Sequence, residues 1–416
     1  MRILRTHGPI YLLLLAVVFT SYGRVMNVPL WNDTDARILC DAHELSRDPV
    51  SMFTHIGFYF SQPVLQLGFL AQYRLFGLDP SGYLAVNLAI HATNAFVVYM
   101  LVNMLFPTRR MALLAAVLFA FGVGSYGRVF GAIHQQENLL LAGLHLLVMY
   151  VFIRNDYRHE GQIRSRLYLL GLALFLVTGL TRATSFSLVG VLIAYKVLFY
   201  RFRGRRIVTP DVLILLVVAL IFYWAQARWG YQAPTVFGDN HPVERFSLMS
   251  VKNIFRYLNM MFLPIQPSSM LEDAPFYVNW LFAARTLIRT ALALAIISFS
   301  FFGFVFGSRA IRFFIAWTYI TVLPFTDQSA TGQWLNLSHL YLTSVGFCVV
   351  LAAGTTGTAN LLRARPSHMW VPYLVPLIFV VMALGVTDRL HQRNRVLAES
   401  PEAIGMRMAT AESCRR

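Results

Sequence analysis

Two acidic side chains, Asp33 and Asp35, stand two residues apart in the polar segment that follows the first apolar run. At a water–lipid boundary a carboxylate is partly buried, which raises its pKa toward the range in which it can take a proton from a hydroxyl group. The same segment, with Asn32 ahead of the acids, is also typical of a helix start, where Asn, Asp and Thr cap the first turn. The pattern therefore indicates either a general base or a helix cap.

A second polar group precedes the fourth apolar run and contains His134, Glu137 and Asn138, with Arg128 upstream. A Glu beside a His and an Arg at the membrane surface can orient an acceptor or neutralise a phosphate region. It can equally stabilise a helix N-terminus through the helix dipole. His134 and Glu137 have the i, i+3 spacing of metal ligands, but two ligands do not make a site, so a divalent metal is possible but not indicated, and we assign no cofactor.

Polar residues inside apolar runs form a third group. Asn87, His91 and Asn94 recur at i, i+4 and i+7, which places them on one face of a helix. We favour interhelical hydrogen bonds over a direct role for this stripe. Arg182 lies between two apolar runs with almost no loop, and an Arg at membrane depth needs an anionic partner, either a lipid phosphate or a carboxylate.

The composition determines which elements must position these groups. The chain has 416 residues, of which 57% are hydrophobic and 13% charged, with a mean hydropathy of +0.57. Apolar runs such as 10–19, 212–223 and 370–386 recur along its whole length, as expected for bilayer spans. We therefore predict an all-α polytopic integral membrane protein rather than a soluble domain.

The formal net charge of +16 does not indicate nucleic-acid binding, because the basic residues sit in short connections between apolar runs. They gather in alternate connections, which we assign to the cytoplasm. The first run follows Arg2 and Arg5 and has no small-residue cleavage site, so we interpret it as an uncleaved span. Of the three cysteines, Cys40 and Cys414 could form a bridge, although no pattern supports one.

This topology has about eleven spans, with the N-terminus cytoplasmic and the protein in a bacterial inner membrane or its equivalent. The long outer loops are 25–81, 125–136 and 229–284, and the tail 388–416 is also outside. We interpret segments 57–76 and 251–263 as interfacial helices, the latter with Arg256 on its polar face. The predicted spans lie near 9–24, 82–105, 111–124, 137–153, 167–181, 184–200, 211–228, 285–306, 310–325, 337–355 and 370–387.

Several segments carry a family resemblance. They are Leu30-Trp31-Asn32-Asp33 through Ile38, Ser61-Gln62-Pro63, residues 73–83 with Asn87, His91 and Asn94, Asn138-Leu139-Leu140, residues 257–264, Leu323-Pro324 and residues 340–347. In this order the segments resemble the GT-C class of polytopic glycosyltransferases, closest to the protein O-mannosyltransferase-like branch that often carries tetratricopeptide repeats, here without the repeats. The family's paired acids, Arg-Pro and Lys-Glu appear here as Asn32-Asp33, Gln62-Pro63 and Arg182-Ala183. The second-loop acid aligns with Glu137 or, one residue along, with Asn138.

The resemblance implies a GT-C-like helical module over 1–387 that moves a sugar from a polyprenyl-phosphate donor to a hydroxyl of a protein or glycolipid on the outer face. It selects Asp33 as the base, with Asp35 as a second acid and Glu137 as a positioning acid. The donor-phosphate candidates are Arg128, Arg182 and Arg256, and the supporting residues are Asn32, Gln62, His91, His134, His339 and Tyr341. The sequence has no glycine-rich phosphate loop, which suits a lipid donor. The alternatives are a lipid-linked sugar flippase or transporter and an inactive, diverged family member.

Overall fold

The protein is described by a computed structural model. It describes residues 2–30, 32–48, 62–127, 129–160, 162–181, 187–200, 209–229, 248–263, 279–326, 337–362, 368 and 370–413. Regular secondary structure in these ranges is helical, and no strand occurs in them. The predicted all-α fold is therefore confirmed.

Fifteen α-helices form the described part of the chain. They are α1 (Arg2–Tyr22), α2 (Asp33–Arg47), α3 (Pro63–Phe76), α4 (Pro80–Leu105), α5 (Arg109–Ala120), α6 (Gln136–His159), α7 (Arg166–Gly179), α8 (Ser187–Tyr200), α9 (Pro210–Trp229), α10 (Leu248–Phe262), α11 (Asn279–Phe306), α12 (Arg309–Val322), α13 (Leu340–Leu361), α14 (Leu374–Ala398) and α15 (Pro401–Ser413). Eleven of them, α1, α4–α9 and α11–α14, coincide with the predicted spans. The helices α3 and α10 coincide with the two predicted interfacial segments.

Five stretches of the described chain are long and apolar enough to cross a membrane. They are His7–Asn27, Pro80–Leu105, Ile133–His159, Leu337–Leu361 and Val371–Ala398. All five lie at predicted spans, so the chain is an integral membrane protein. The full count of eleven spans stays a prediction, because helices such as α7 and α8 are apolar but only 14 residues long.

The polar stripe of α4 holds the centre of the bundle together. Asn87 donates from Nδ2 to the Ala132 carbonyl at 3.1 Å, and Asn94 donates to the Leu139 carbonyl at 2.8 Å. His91 Nε2 lies 3.1 Å from the Ala120 carbonyl and Nδ1 lies 2.7 Å from the Tyr341 hydroxyl. All four side chains are buried. The stripe is therefore an interhelical hydrogen-bond network, as favoured from the sequence. Within it, the contact between His91 and Tyr341 joins α4 to α13.

A second buried polar contact joins α8 to α9. Lys196 donates from Nζ to Asp211 Oδ2 at 2.5 Å, and the same nitrogen lies 3.2 Å from Thr209 Oγ1. The ammonium also lies 4.4 Å from the centre of the Tyr200 ring. The two charged side chains are only 1% and 5% exposed, so each depends on the other for compensation of its charge.

The helix α15 packs against α2, so the tail and the first long loop lie at the same end of the bundle. Arg407 donates from Nη1 to the carbonyls of Leu30 at 2.9 Å and Ala398 at 2.8 Å, and Met406 packs on the apolar cluster beneath α2. Cys40 on α2 is disulfide-bonded and Cys348 is free, while Cys414 lies outside the described residues. We call this end of the molecule the outer end, following the predicted topology.

Candidate functional site

The start of α2 carries the first acidic pair and is a reciprocally capped helix N-terminus. Asn32 is the N-cap, and its Oδ1 accepts from the Asp35 backbone nitrogen at 2.8 Å. Its Nδ2 donates back to Asp35 Oδ2 at 2.9 Å. The helix-cap interpretation of this segment is therefore confirmed, with both acids in the first turn of the helix that Asn32 caps, and the general-base interpretation stays a prediction.

Asp35 connects the first outer loop to the second. Its Oδ2 accepts from the Ile133 nitrogen at 2.8 Å, and its Oδ1 accepts from the His134 nitrogen at 2.9 Å and from His134 Nδ1 at 2.7 Å. Burial alone would raise the pKa of Asp35, but the hydrogen bonds and charge of His134 and the two backbone amides outweigh burial and lower it. Asp35 is thus an ionised carboxylate whose two oxygens are occupied by protein donors.

Asp33 occupies a different environment from Asp35. Two residues along an α-helix correspond to a rotation of about 200°, so the two side chains leave α2 on nearly opposite sides. Asp35 is buried against the second loop, whereas Asp33 is exposed. Of the two acids, Asp33 is the one that an external molecule can reach directly.

Further polar contacts attach α3 to the start of α6. Gln62 donates from Nε2 to Glu137 Oε1 at 2.8 Å, which brings together two predicted site residues that are far apart in sequence. Gln72 donates to Gln136 Oε1 at 3.2 Å. Glu137 therefore attaches the first loop to the start of α6 beside the Asp35 contact, and its role as a positioning acid stays a prediction. Within the residues described, no group of three His, Cys, Asp or Glu side chains is arranged to hold a metal ion.

A polar cavity of about 510 Å³ lies at the outer end, between the end of α1, the second loop and α14. Its polar lining includes Arg24, His134, Gln135, Asp388, His391 and Asn394. Gly127 lets α14 approach the loop closely, since a Cβ at this position would lie 2.4 Å from Thr387 Oγ1 and the residue has a φ of +69°. The cavity combines a cation, two imidazoles and a carboxylate, which suits binding of a charged polar ligand.

An apolar groove of about 600 Å³ begins near this cavity and runs along α13 between α10, α11 and α14. On α13 its lining extends from Phe347 to Leu362, which corresponds to about 22 Å at 1.5 Å per residue. Tyr126, next to the cavity residue Gly127, donates to the carbonyl of the groove residue Met261 at 2.6 Å. The second loop therefore separates a polar cavity from an apolar lateral groove.

The remaining predicted residues fall elsewhere. His339 stacks on Phe325 with ring centres 4.6 Å apart, and its Nδ1 lies 2.9 Å from the Tyr257 hydroxyl. Arg256 donates to Asn253 Oδ1 at 3.2 Å, so it also belongs to this cluster around α10 rather than to the cavity lining. Arg128 and Arg182 lie outside the described residues.

The cavity residues Arg24, Asp388, His391 and Asn394 were not predicted from the sequence. Three of them lie where α14 continues past the predicted end of its span at 387. The signal was present: Thr387, His391 and Asn394 recur at i, i+4 and i+7, as polar residues on one helix face do.

Asp41 on α2 makes the outer end sensitive to pH. Burial and the charge of Glu44 raise its pKa to about 6, against the opposing effect of Arg37. The unfolded carboxyl ionises near pH 4, so native stability falls as pH rises from about 4 to 6 and stays reduced above that. Asp41→Asn should therefore stabilise the protein at pH 8 by about 1–2 kcal/mol, allowing for partial solvent screening. Thermal unfolding in detergent at pH 4 and pH 8 tests this, and an equal gain at both values would contradict it.

Comparison with known proteins identifies the fold. No protein-family model matches the sequence, and no curated protein matches it. The structure is similar to that of the Archaeoglobus fulgidus oligosaccharyltransferase in the apo form, with a TM-score of 0.50 and 13% sequence identity over 94% of this chain. The same enzyme tethered to an acceptor peptide containing the NVT sequon gives a TM-score of 0.51 and 12% identity over 96% of this chain. The chain covers 56% of the length of either structure. At this identity the similarity establishes the GT-C-like helical fold.

Proposed function

We propose that the protein is a membrane glycosyltransferase that transfers a hexose from a polyprenyl-phosphate donor to an acceptor hydroxyl on the outer face of the membrane. The observation that carries the proposal is the polar cavity at the outer end with an apolar lateral groove beside it. An isoprenoid chain suits the groove, and a sugar phosphate suits the cavity. The GT-C-like fold and the mannosyltransferase-like motifs support the same reaction class.

A transporter would need a different arrangement. Transporters commonly use broken helices and a binding site near the bilayer midplane. Here the polar cavity lies at one end of the bundle, and the groove is open on its side, where Phe299 and Val375 are 77% and 49% exposed. This geometry favours chemistry at the membrane surface over passage through the protein.

The reaction makes limited demands on the protein. The acceptor oxygen attacks the anomeric carbon, the bond from that carbon to the phosphate oxygen breaks, and the phosphate leaves with the electron pair. The protein must take the acceptor proton and stabilise the departing phosphate. Arg24 is the described cation on the cavity wall, and Arg128, Arg182 and Arg256 stay predictions for this role. Asp33 stays the base that the resemblance selects.

The proposal is tested with purified protein in liposomes. The probes are radiolabelled polyprenyl-phosphate mannose and polyprenyl-phosphate glucose, with membrane protein and glycolipid fractions as acceptors. We expect label to appear in one acceptor fraction and to depend on the protein. Movement of the donor across the bilayer without a labelled product would instead identify a flippase. If both probes give neither transfer nor movement, the protein is an inactive member.

Filling the groove should weaken binding of long donors. Gly354 lines the groove and has open space where a side chain would stand, so Gly354→Phe places a ring in the path of the lipid chain. We expect the KM for a long-chain donor to rise about tenfold, a loss of about 1.4 kcal/mol, with little effect on a donor of two isoprene units.

Gly357 provides the matched control. It lies on the same helix, is also exposed with open space at its Cβ, and is not part of the groove lining. Gly357→Phe should leave the KM of both donors unchanged. An equal rise in KM for long and short donors in Gly354→Phe would contradict a chain-binding groove.

A further inference from the structure

We infer that His134 is the catalytic base that accepts the proton of the acceptor hydroxyl, and that Asp35 is the positioning residue behind it. The inference deepens the proposed function and rests on it. It differs from the family-based prediction, in which the acid Asp33 takes this proton. It is carried by the contacts, the exposure and the place of the His134 side chain.

The hydrogen bonds of His134 determine which ring nitrogen carries a proton. Nδ1 lies 2.7 Å from Asp35 Oδ1, and a carboxylate can only accept, so Nδ1 carries the hydrogen. Nε2 lies 2.7 Å from the Gln135 amide nitrogen. The Gln135 carbonyl oxygen accepts from Asn138 Nδ2 at 2.9 Å, which directs the Gln135 amide hydrogens toward His134. Nε2 of the neutral ring is therefore an acceptor, and its lone pair accepts from the Gln135 amide.

Exposure distinguishes the two members of the pair. The His134 side chain is 32% exposed, whereas that of Asp35 is 4% exposed. His134 and Gln135 both line the polar cavity, and Asp35 lies behind them against the backbone of residues 133 and 134. An acceptor hydroxyl in the cavity can thus reach Nε2 by displacing the Gln135 amide, but cannot reach the Asp35 carboxylate.

The proposed step moves one proton and exchanges one bond at the anomeric carbon. His134 Nε2 removes the proton from the acceptor hydroxyl as its oxygen bonds to the anomeric carbon, and the phosphate departs with the electrons of the broken bond. The resulting imidazolium donates from Nδ1 to Asp35, whose negative charge stabilises it, as carboxylates do for catalytic histidines. Nε2 then returns its proton to water or to the released phosphate.

Other charged or titratable side chains lie at or near the same polar cavity. Arg24 lies on the turn Gly23–Asn27, and Asp388 and His391 lie on α14. Glu137 lies one helical turn from His134 and contacts Gln62. Arg24, the one guanidinium among the described residues that line the cavity, suits the donor phosphate, and the histidine with its buried carboxylate suits proton removal.

The experiment compares His134→Gln with Asp33→Asn and with His43→Gln in the liposome assay, using the polyprenyl-phosphate sugar that the wild type accepts. His43 is a histidine on the same end of the molecule that contacts Tyr73 at 2.7 Å, so it controls for the substitution itself. We expect His134→Gln to lower the transfer rate by about 10²–10⁴-fold, with unchanged donor KM. His43→Gln should stay within a few-fold of the wild type, and Asp33→Asn should lower the rate less than His134→Gln does.

One further measurement excludes a purely structural effect. His134→Ala should regain activity when imidazole is added, which a misfolded loop would not do.

The outcomes separate the inference from the proposed function. An active His134→Gln with an inactive Asp33→Asn overturns the inference, leaves the glycosyltransferase proposal intact and restores Asp33 as the base. Loss of activity in His134→Ala without imidazole rescue also overturns it. A wild-type protein that transfers neither sugar overturns both.

Discussion

Asp35→Asn is expected to be among the most damaging single substitutions at the outer end. The variant has nearly the same shape, but an amide offers one acceptor oxygen where the carboxylate accepts from Asn32, Ile133 and His134. Buried donors left without an acceptor cost about 1–3 kcal/mol each, so we expect a loss of about 2–4 kcal/mol in stability. Sugar transfer should fall by about 10²-fold or more, because the histidine then lacks its carboxylate partner.

The matched control is the same substitution two residues earlier. Asp33 is exposed on the same helix, so Asp33→Asn should change stability by less than about 0.5 kcal/mol. Thermal unfolding of both variants in detergent gives the comparison, and transfer of labelled sugar gives the second readout. If Asp35→Asn unfolds at the temperature of the wild type, the contact between the two outer loops does not hold this end together.

Lys196→Met is expected to have the largest effect on stability. The substitution keeps an apolar side chain of similar length but leaves the Asp211 carboxylate buried without its cation. Breaking a buried ion pair in this way typically costs about 3–5 kcal/mol. The variant should accumulate poorly in membranes and unfold at a much lower temperature than the wild type.

Two variants show whether the pair itself is responsible. Lys196→Met combined with Asp211→Leu removes both charges and should recover most of the lost stability, since an apolar pair of similar volume often replaces a buried ion pair without cost. Lys252→Met, at an exposed lysine on α10, should be close to neutral. A double variant as unstable as Lys196→Met alone would show that lost packing, rather than the uncompensated charge of Asp211, causes the loss of stability.

The sequence predicts the apolar helices well because their signal is local. An apolar run bounded by Arg or Pro identifies a helix without knowledge of its neighbours, and each of the eleven predicted runs overlaps a described α-helix. The same holds for the polar stripe of α4, because only interhelical bonds satisfy polar groups in an apolar surrounding.

The outer end is less predictable because its contacts are not local. Asp35 and His134 are 99 residues apart in sequence, and no spacing rule connects them. The family motif selected Asp33, yet only the structure shows that Asp33 is exposed and Asp35 is buried. The cavity residues on α14 were likewise not predicted, because the span was predicted to end at 387 and no site was assigned to the tail 388–416.

The packing of α15 on α2 has a consequence for biogenesis. About 350 residues separate the two helices, which at 5–20 residues per second corresponds to about 18–70 seconds of synthesis. During this interval the side of α2 that contacts α15 lacks the helix that covers it. The first loop to emerge is thus among the last parts of the protein to be completed, and a chain interrupted before Arg407 leaves the Leu30 carbonyl without the guanidinium that it accepts from in the finished fold. The first long loop therefore reaches its final packing only after α15 has been synthesised.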